Sequence, residues 1–545
     1  MYGLSFLYHL RGEFALCLWD ERRKLFGAAR DRFGIKPLYY TYSEGRLLLA
    51  SETKAFKAFG WVPEWDKAEV SYTEATIDVQ LPAASYLTCT LGGNITVQPY
   101  WDADYPDKNV PETRSKEEMI QGVHDRLVES IRLRMHAEVP LAIYLSGGID
   151  SAAIAGISTS ILRETDPTAK IHAFTIEFPG GGSFDESAIA RRMATHVGAH
   201  FHPVPLSEQE LADNFEDAIY HFEHPMPDLN AVGKFLLSKA ARHSGFKVVL
   251  TGEGSDEHFA GYSFFLADAL RETDSTLSER DRAELLACDK RIAKLEAIEG
   301  IASPAQDEVS MAKISGCDSQ AARTMLNGIS THCALAASAQ LSEFFFEKRV
   351  LEGTGKPDAA FALAGGLNGI ARAKAASKYA ESRTFLSNVL CNVLGDRSEM
   401  AHSIEGRTPF LDHLLCEYVN GIPPYLKIRP DAHGNIVEKW ILREAVKPYI
   451  SEELYARRKH PYLAPPVKDT TGPLGQLFTT RLTRKTVEKL GWASWEAVEK
   501  LKRDFDNTGD MSSARNLMVV LSFVVLCERF DVKPYKPRHR YEVDR

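Results

Sequence analysis

The residue types between Ser146 and Ser151 are suited to binding a phosphate. This segment reads SGGIDS and follows an apolar run, residues 139–145, with the length and content of a buried strand. Two glycines let the backbone approach an anion closely, and the first turn of a following helix offers unpaired N–H groups. An ordinary strand-to-helix turn, in which Ser, Gly and Asp act as caps, is the alternative. The residues predicted to bind the phosphates are Ser146, Gly147, Gly148, Asp150 and Ser151.

Asp150 does not suit a simple anion site, because a carboxylate repels a phosphate unless a divalent cation lies between them. A second acidic segment, Thr251–Glu257 with the sequence TGEGSDE, follows the apolar run 247–250. If the two segments face each other, Asp256 joins Asp150 in binding Mg²⁺, and Glu253 is placed to orient or deprotonate an attacking amine. A solvated acidic turn is the alternative for the second segment. The two segments together predict a site for Mg²⁺ and a nucleotide phosphate.

The stretches around these two segments alternate between strand and helix patterns. Such alternation is typical of a doubly wound parallel sheet, an α/β fold that binds ligands at the carboxyl ends of its strands. The amphipathic stretch 116–136 is predicted to be a helix that precedes the first strand. Further strands are predicted at 170–178, 200–205 and 247–250, and further helices at 184–197, 207–220 and 231–244.

Residues 1–103 follow a different pattern, with short strands separated by tight turns. Consecutive strands of this kind predict an antiparallel layer, which needs a second layer over its apolar face. Nothing upstream is long enough to supply it, so we expect an exposed sheet face and unpaired strand edges. Because such exposure favours aggregation, an open alternative is that Met1 is an internal methionine of a longer chain. The strands are predicted at 14–19, 24–29, 38–42 and 47–50.

The SGGIDS and TGEGSDE segments, together with AHSIEGRTPFLDH at 401–413, resemble the asparagine synthetases. The first segment is similar to the SGGxDS loop of the ATP-pyrophosphatase group, and the second to the SGEGSDE motif of the synthetases. The resemblance implies a doubly wound parallel-sheet ATP-pyrophosphatase domain, adenine nucleotide α-hydrolase-like, that uses ATP and Mg²⁺. It also implies asparagine synthetase-like chemistry, in which a carboxylate is adenylated, ammonia attacks the adenylate, and AMP and pyrophosphate are released.

The same resemblance implies roles for seven further residues. Lys459, in the basic run Arg457-Arg458-Lys459, is expected to neutralise charge that develops on the phosphates. Arg407 is expected to be catalytic, with membership of a buried arginine–carboxylate network as an equal alternative. The adenine is expected to rest on backbone near Ile176 and Gly252. For Arg397, Glu405 and Asp412, the buried network is the preferred interpretation.

Residues 10–56 resemble the second half of a class-II, N-terminal-nucleophile glutamine amidotransferase domain, in the segments LRGEFALCLWD, AARDRFGIKPLYY and LLLASETKAF. The resemblance implies a partial amidotransferase domain at 1–103, a linker at 104–115 and a synthetase domain at 116–545, with a helical insertion at about 266–380. The glutaminase of that family uses an N-terminal cysteine, whereas position 2 is Tyr2, and Cys17 lies inside a predicted strand. We therefore expect ammonia rather than glutamine to be the nitrogen donor.

One departure concerns the acidic D-E-P segment of the family, which reads Glu223-His224-Pro225 here, with Asp228 downstream. An imidazole in place of a carboxylate weakens the expectation that aspartate is the substrate. Two alternatives stay open: an amide ligase of the same fold on another carboxylate, similar to β-lactam synthetase, and a non-catalytic scaffold or regulatory homologue. The expected partners are small molecules, namely an amino acid such as aspartate, ammonia, and glutamine if the true chain is longer. A homodimer also stays open.

Composition indicates which kinds of partner and cellular environment the protein has. A net charge of −9 and a pI near 6.1 offer no overall attraction to nucleic acid. The eight cysteines are scattered without metal-ligand spacing, which is typical of reduced thiols in a cytoplasmic protein. The longest apolar run, 517–527, is half the length that a membrane span needs, so a buried core helix and no membrane association are expected.

Overall fold

The structure, a computed structural model, describes residues 3–65, 79–104, 112–262, 386–430, 436–458, 460 and 462–534. Seven short strands near the N-terminus form two antiparallel sheets. These strands are β1 Ala15–Asp20, β2 Leu25–Arg30, β3 Tyr39–Ser43, β4 Arg46–Ala50, β5 Val79–Gln80, β6 Ser85–Thr90 and β7 Ile95–Pro99. The first sheet has the spatial order β1-β2-β6-β7, and the second has the order β4-β3-β5. The helical insertion expected at about 266–380 and three of the cysteines lie outside the described residues.

The expectation that one sheet face is uncovered is wrong for these residues, because the second sheet supplies the missing layer. One buried cluster joins Ala28 and Leu87 of the first sheet to Leu38 and Leu81 beside the second. The helical turn Gly3–His9 belongs to a separate cluster on the first sheet. Side chains alternate between the two faces of a strand, so the same short strands contribute to both clusters.

The rest of the described chain is built around a five-stranded parallel sheet, which confirms the α/β doubly wound fold. Its strands are β8 Leu141–Tyr144, β9 His172–Glu177, β10 His200–Pro205, β11 Val248–Leu250 and β12 Glu405–Arg407, in the spatial order β10-β9-β8-β11-β12. Strands β8 and β11 are neighbours, with Ile143 opposite Leu250. The two glycine-rich segments that follow these strands therefore start at the same edge of the sheet.

Strand β12 is the one member of this sheet that the sequence does not predict. Its three residues read EGR, so they carry two charges, a glycine and no apolar alternation. The strand forms because its backbone pairs in parallel with β11, where Glu405 is opposite Val248. Non-local pairing of this kind cannot be recognised from a short polar segment alone.

Helices cover both faces of the parallel sheet. Ile143 of β8 belongs to a buried cluster with α-helical residues on one side, and its neighbours Ala142 and Tyr144 belong to a second cluster on the other side. A mixed helical segment, Leu386–Arg397, contains a break at Gly395. The α-helices used below are α1 Lys116–Arg134, α2 Ile149–Arg163, α3 Ser187–Val197, α4 Glu208–Phe222, α5 Asn230–His243, α6 Ser255–Phe259, α7 His413–Asn420, α8 Trp440–Val446, α9 Glu452–Ala456, α10 Pro473–Arg481, α11 Arg484–Glu488, α12 Trp495–Thr508 and α13 Met511–Phe530.

Helix α13 is the described helix that is long and apolar enough to cross a membrane by length and composition. Its most apolar window has a mean hydropathy of 1.4, but 72% of that window is buried inside the protein. Its neighbours in the same core include residues of α4 and α12. The helix is packed as a core helix in this structure, as the sequence predicts.

A buried charge cluster joins the N-terminal part to the parallel-sheet part. Arg11 Nε donates to Asp412 Oδ2 at 2.7 Å, and Arg134 Nη1 donates to the same carboxylate at 3.1 Å. Arg134 Nε also donates to Glu13 Oε1 at 2.8 Å. Burial opposes ionisation of Asp412, but the hydrogen bond from Arg11 and the charge of Arg134 outweigh it and hold the pKa below its ordinary value.

Replacement of Asp412 by asparagine is expected to lower the free energy of unfolding by about 3 kcal/mol near neutral pH, because Arg11 and Arg134 lose their shared anion. A lowered pKa in the folded state means that this contribution is present above about pH 3.9, the ordinary value for aspartate, and is lost as pH falls further. Urea unfolding of the wild type and Asp412→Asn at several pH values measures the difference. A difference that stays constant from pH 7 to pH 3 would contradict this account.

Candidate active site

A cavity of about 400 Å³ opens at the carboxyl ends of β8, β9 and β11. Its lining includes Ser146, Gly148, Asp150 and Ser151 from the first glycine-rich segment. It also includes residues of the second segment, namely Thr251, Gly252, Glu253 and Asp256. The two segments that the sequence predicts to form one site therefore share one cavity. This is where ligands bind in open parallel α/β sheets.

The first segment forms a compact loop held by its own side chains. The backbone N–H of Ser146 donates to Ser151 Oγ at 3.0 Å, and the N–H of Gly148 donates to Ser146 Oγ at 3.1 Å. Arg457 lies against this loop, and a Cβ at Gly147 would displace its guanidinium. The loop leads directly into α2, whose first-turn N–H groups favour an anion.

The second segment approaches the first so closely that a side chain at Gly252 would crowd the contact. A Cβ at Gly252 would lie 3.0 Å from the Cβ of Asp150 and 3.3 Å from the backbone nitrogen of Ser151. Ser255 Oγ donates to Asp150 Oδ1 at 2.6 Å, which joins the two segments directly. The close approach brings the carboxylates of Asp150 and Asp256 to the same point.

Lys439 occupies the space between these two carboxylates. Its Nζ lies 2.7 Å from Asp150 Oδ2 and 2.6 Å from Asp256 Oδ1, and its side chain is 1% exposed. Two buried carboxylates repel each other, so a cation between them lowers the free energy of the folded state. The sequence pattern around Lys439 is similar to that of the synthetases, yet the residue types alone do not predict this contact.

The two carboxylates offer the donor type that Mg²⁺ prefers, although Lys439 occupies the space between them in this structure. Asp150 and Asp256 offer hard carboxylate oxygens, and a magnesium ion typically takes one or two carboxylates and completes its shell with waters and substrate phosphate oxygens. No group of three or more metal-ligating side chains occurs within the described ranges, so the phosphates themselves would have to contribute ligands. When bound, Mg²⁺ would supply charge neutralisation on the phosphates.

A second buried lysine pairs with Glu253. Lys234 on α5 donates from Nζ to Glu253 Oε1 at 2.7 Å and lies 3.5 Å from Glu399 Oε1. Burial raises the pKa of Glu399, and the ammonium of Lys234 acts in the opposite direction. Lys234 thus holds the Glu253 carboxylate in one position at the wall of the cavity.

Lys234→Met is expected to lower at least about tenfold any turnover that depends on the Glu253 carboxylate, because Glu253 loses the partner that positions it. The affinity for ATP should change little, since Lys234 does not contact the phosphate loop through any of its hydrogen bonds in the described chain. Lys239→Met, on the same helix, is the matched control, as Lys239 Nζ bonds to Asn214 instead. Partial recovery in Lys234→Arg would support positioning by charge, whereas equal losses in Lys234→Met and Lys239→Met would contradict it.

Glu257 has a perturbed acidity beside this site. Burial raises its pKa to about 8, and the negative charge of Asp256 adds to the effect. Tyr262 donates from its hydroxyl to Glu257 Oε1 at 2.6 Å. A carboxyl group with this pKa carries a proton at neutral pH, so Glu257 adds little negative charge next to Asp256.

The other residues predicted from the sequence fall in three places. Ile176 lines the cavity with Gly252. Arg407 does not: its Nη1 donates to the carbonyls of Arg134 and His136 at 2.7 Å each, so the residue joins β12 to the end of α1. Its backbone lies in an edge strand rather than at the phosphate loop, and we assign it no catalytic part. Lys459 lies outside the described residues.

The Glu223-His224-Pro225 segment is placed at the contact between the two parts of the chain. The Glu223 carboxylate accepts hydrogen bonds from the backbone N–H groups of Thr53 and Lys54 at 2.9 Å each, and it lies 2.8 Å from Arg397 Nη1. His224 is half-buried, and desolvation lowers its pKa to about 4, so the imidazole is neutral near pH 7. Asp228 is the acidic residue of this region that lines the cavity.

Sequence comparison finds relatives over nearly the whole chain. A family model described as asparagine synthase matches residues 122–528, and one described as a glutamine amidotransferase domain matches residues 1–58. The chain is 39% identical to the amidase chyE of Penicillium rubens and 37% identical to the amidase chry2 of Gibberella zeae. Each alignment covers 98% of this chain and 81% of the relative. Asparagine synthetase [glutamine-hydrolyzing] 1 of Bacillus subtilis is 25% identical over 83% of this chain and 67% of that protein.

Proposed function

The chain belongs to the asparagine synthase family, and from this we propose that it uses ATP and Mg²⁺ to activate a carboxylic acid as its adenylate and then transfers the acyl group to ammonia. The observation that carries the proposal is the convergence of Asp150 and Asp256 at one buried point beside the phosphate loop. A non-catalytic scaffold would have no need to bury two carboxylates and a lysine there, since such a cluster is costly to desolvate.

In the proposed first step, the phosphates of ATP lie on the loop between Ser146 and Ser151, and the adenine rests near Ile176 and Gly252. An oxygen of the substrate carboxylate attacks the α-phosphorus, the bond between that phosphorus and the bridging oxygen breaks, and pyrophosphate leaves. The N–H groups at the start of α2 face the phosphates and favour the negative charge. Asp150 and Asp256 would hold the Mg²⁺ that accompanies the nucleotide.

In the second step, the nitrogen of ammonia attacks the acyl carbon, and the bond from that carbon to the AMP oxygen breaks. The attacking nitrogen must lose a proton to become a neutral amide. Glu253 lines the cavity and is held by Lys234, so its carboxylate is the proposed acceptor of this proton. Enclosure within the cavity also protects the adenylate from hydrolysis.

An isotope experiment tests the proposal. Carboxylic acids labelled with ¹⁸O in the carboxylate are incubated with the protein, ATP, Mg²⁺ and ¹⁵N-ammonium chloride. The expected result is one ¹⁸O atom in AMP, one ¹⁵N atom in the amide, and pyrophosphate equal to AMP. Release of ADP and phosphate, or AMP without ¹⁸O, would refute the adenylate route.

A further inference from the structure

We infer that the acid activated at this site is an apolar monocarboxylic acid, with an aromatic or branched body, and not an α-amino acid such as aspartate. The inference rests on the proposed function, because it names the substrate class of the same site. Three observations carry it: the apolar wall of the cavity, the state of its basic side chains, and the position of the segment Glu223–Pro225.

One group of side chains on the cavity lining is apolar, and we call it the apolar wall. It includes Met226, which precedes α5, and Leu237, which lies on α5. It also includes Val389, Leu390 and Leu394 from the segment Leu386–Arg397. Met226 and Leu237 are buried in the protein interior. A ligand surface that meets this wall gains free energy only if it is apolar, because a polar group placed there would lose its hydration without a replacement hydrogen bond.

Aspartate carries a second carboxylate that would need a cation, and the lysine on the described lining, Lys234, already has acidic partners. Lys234 lies between Glu253 and Glu399, at 2.7 Å and 3.5 Å. His460 Nδ1 lies 3.4 Å from Glu186 Oε1. Five carboxylates lie on the described lining with these two basic side chains, and two of the five, Asp150 and Asp256, share Lys439. The acidic side chains on the described lining are Asp150, Glu186, Asp228, Glu253 and Asp256.

The ammonium group of an amino acid would also find little support. Asp228 is the candidate partner, but burial raises its pKa, and one of its oxygens accepts a hydrogen bond from the backbone N–H of Asn230 at 2.9 Å. The charge of Glu223 is directed to Thr53 and Arg397 instead of the cavity. His224 is neutral, and its Nδ1 lies 2.7 Å from the carbonyl oxygen of Pro225.

A binding experiment with the full chain separates the two substrate classes. The protein is loaded with Mg²⁺ and α,β-methylene ATP, which fills the nucleotide site without releasing pyrophosphate. Ligand-observed NMR then compares benzoate, 3-phenylpropionate and isovalerate with aspartate and glutamate. We expect the affinity of the best apolar acid to exceed that of aspartate at least about tenfold, because the wall offers apolar contact and no cation. Equal or tighter binding of aspartate would overturn the inference.

A matched pair of variants assigns the binding to the apolar wall. Val389→Asn should weaken binding of the best apolar acid about tenfold, because the amide is desolvated without a partner. Val97→Asn makes the same exchange at an exposed position on β7, away from the cavity lining, and should change this affinity little. Both variants should bind the ATP analogue as the wild type does, which shows that each is folded. If Val389→Asn binds the acid as tightly as the wild type, the inference is wrong.

Turnover separates failure of the inference from failure of the proposed function. The same five acids are tested with ATP, Mg²⁺ and ammonium for release of pyrophosphate. Release with an apolar acid and little with aspartate supports both proposals. Release with aspartate at equal or higher catalytic efficiency overturns the substrate class and leaves the adenylation proposal standing. Binding of the analogue with release from none of the acids contradicts adenylation, and the inference falls with it.

Discussion

Asp150→Asn is expected to reduce the rate of pyrophosphate release at least about a hundredfold, the usual loss when one preorganised charge partner of a transition state is removed. Asp150 lies in the first helical turn after the loop that we propose to bind the phosphates, and it shares Lys439 with Asp256. An amide of the same shape cannot hold a divalent cation as strongly. The rate is measured by coupled detection of pyrophosphate at saturating ATP.

Two comparisons make the Asp150 result specific. Asp213→Asn removes an exposed carboxylate from α4 and should leave the rate unchanged. Raising the Mg²⁺ concentration should recover part of the activity of Asp150→Asn, because the weakened site can still be filled by mass action. An unchanged rate in Asp150→Asn would mean that the reacting phosphates do not lie on this loop.

Lys439→Met should produce the largest loss of stability, about 3–5 kcal/mol in the free energy of unfolding, because it leaves two buried carboxylates without a shared cation. Its side chain is 1% exposed, so water cannot replace the ammonium without rearrangement. Mg²⁺ should raise the midpoint of thermal unfolding more in this variant than in the wild type, since the ion can neutralise the same pair. Differential scanning calorimetry with and without Mg²⁺ measures both effects.

The double variant Lys439→Met with Asp256→Asn tests the cause of that loss. If repulsion between Asp150 and Asp256 is responsible, removing one charge should restore part of the stability. Lys485→Met, at an exposed position on α11, is the control for loss of any lysine and should change stability by less than about 0.5 kcal/mol. A double variant less stable than Lys439→Met would show that packing of the lysine, and not its charge, dominates.

Local patterns predicted the parts of this fold that are made by local forces. The apolar run before Ser146 becomes β8, and the predicted strand at 200–205 is β10 with the same bounds. Strand β12 was not predicted from the sequence, because it pairs with β11, which lies more than 150 residues away in the chain. Its side chains also show no apolar alternation. The second N-terminal sheet was not predicted either, because alternation along a strand does not indicate which sheet the strand joins.

Some residues of the candidate site were predicted from the sequence, and others were found only in the structure. Glycine and aspartate in strand-to-helix turns indicated a phosphate site with carboxylates beside it. Glycine lets backbone N–H groups reach an anion, and aspartate offers oxygen ligands to a cation. Lysines carry no such signal, because a lysine in a sequence is usually a surface charge. Lys439 and Lys234 became site residues only through burial beside acidic partners. Arg407 shows the reverse case, a motif residue that the fold directs to backbone carbonyls.

By itself the sequence determined the α/β class and indicated that the two glycine-rich segments meet, because each depends on short-range geometry and on the chemistry of single residue types. Tertiary structure alone decided which cations neutralise the aspartates and Glu253, and which hydrocarbon side chains form the apolar wall of the cavity. Those contacts join residues up to 289 positions apart, as with Lys439 and Asp150, so they depend on how the layers pack. Charge pairing and apolar enclosure are properties of that packing, and they are what now point to an apolar acid.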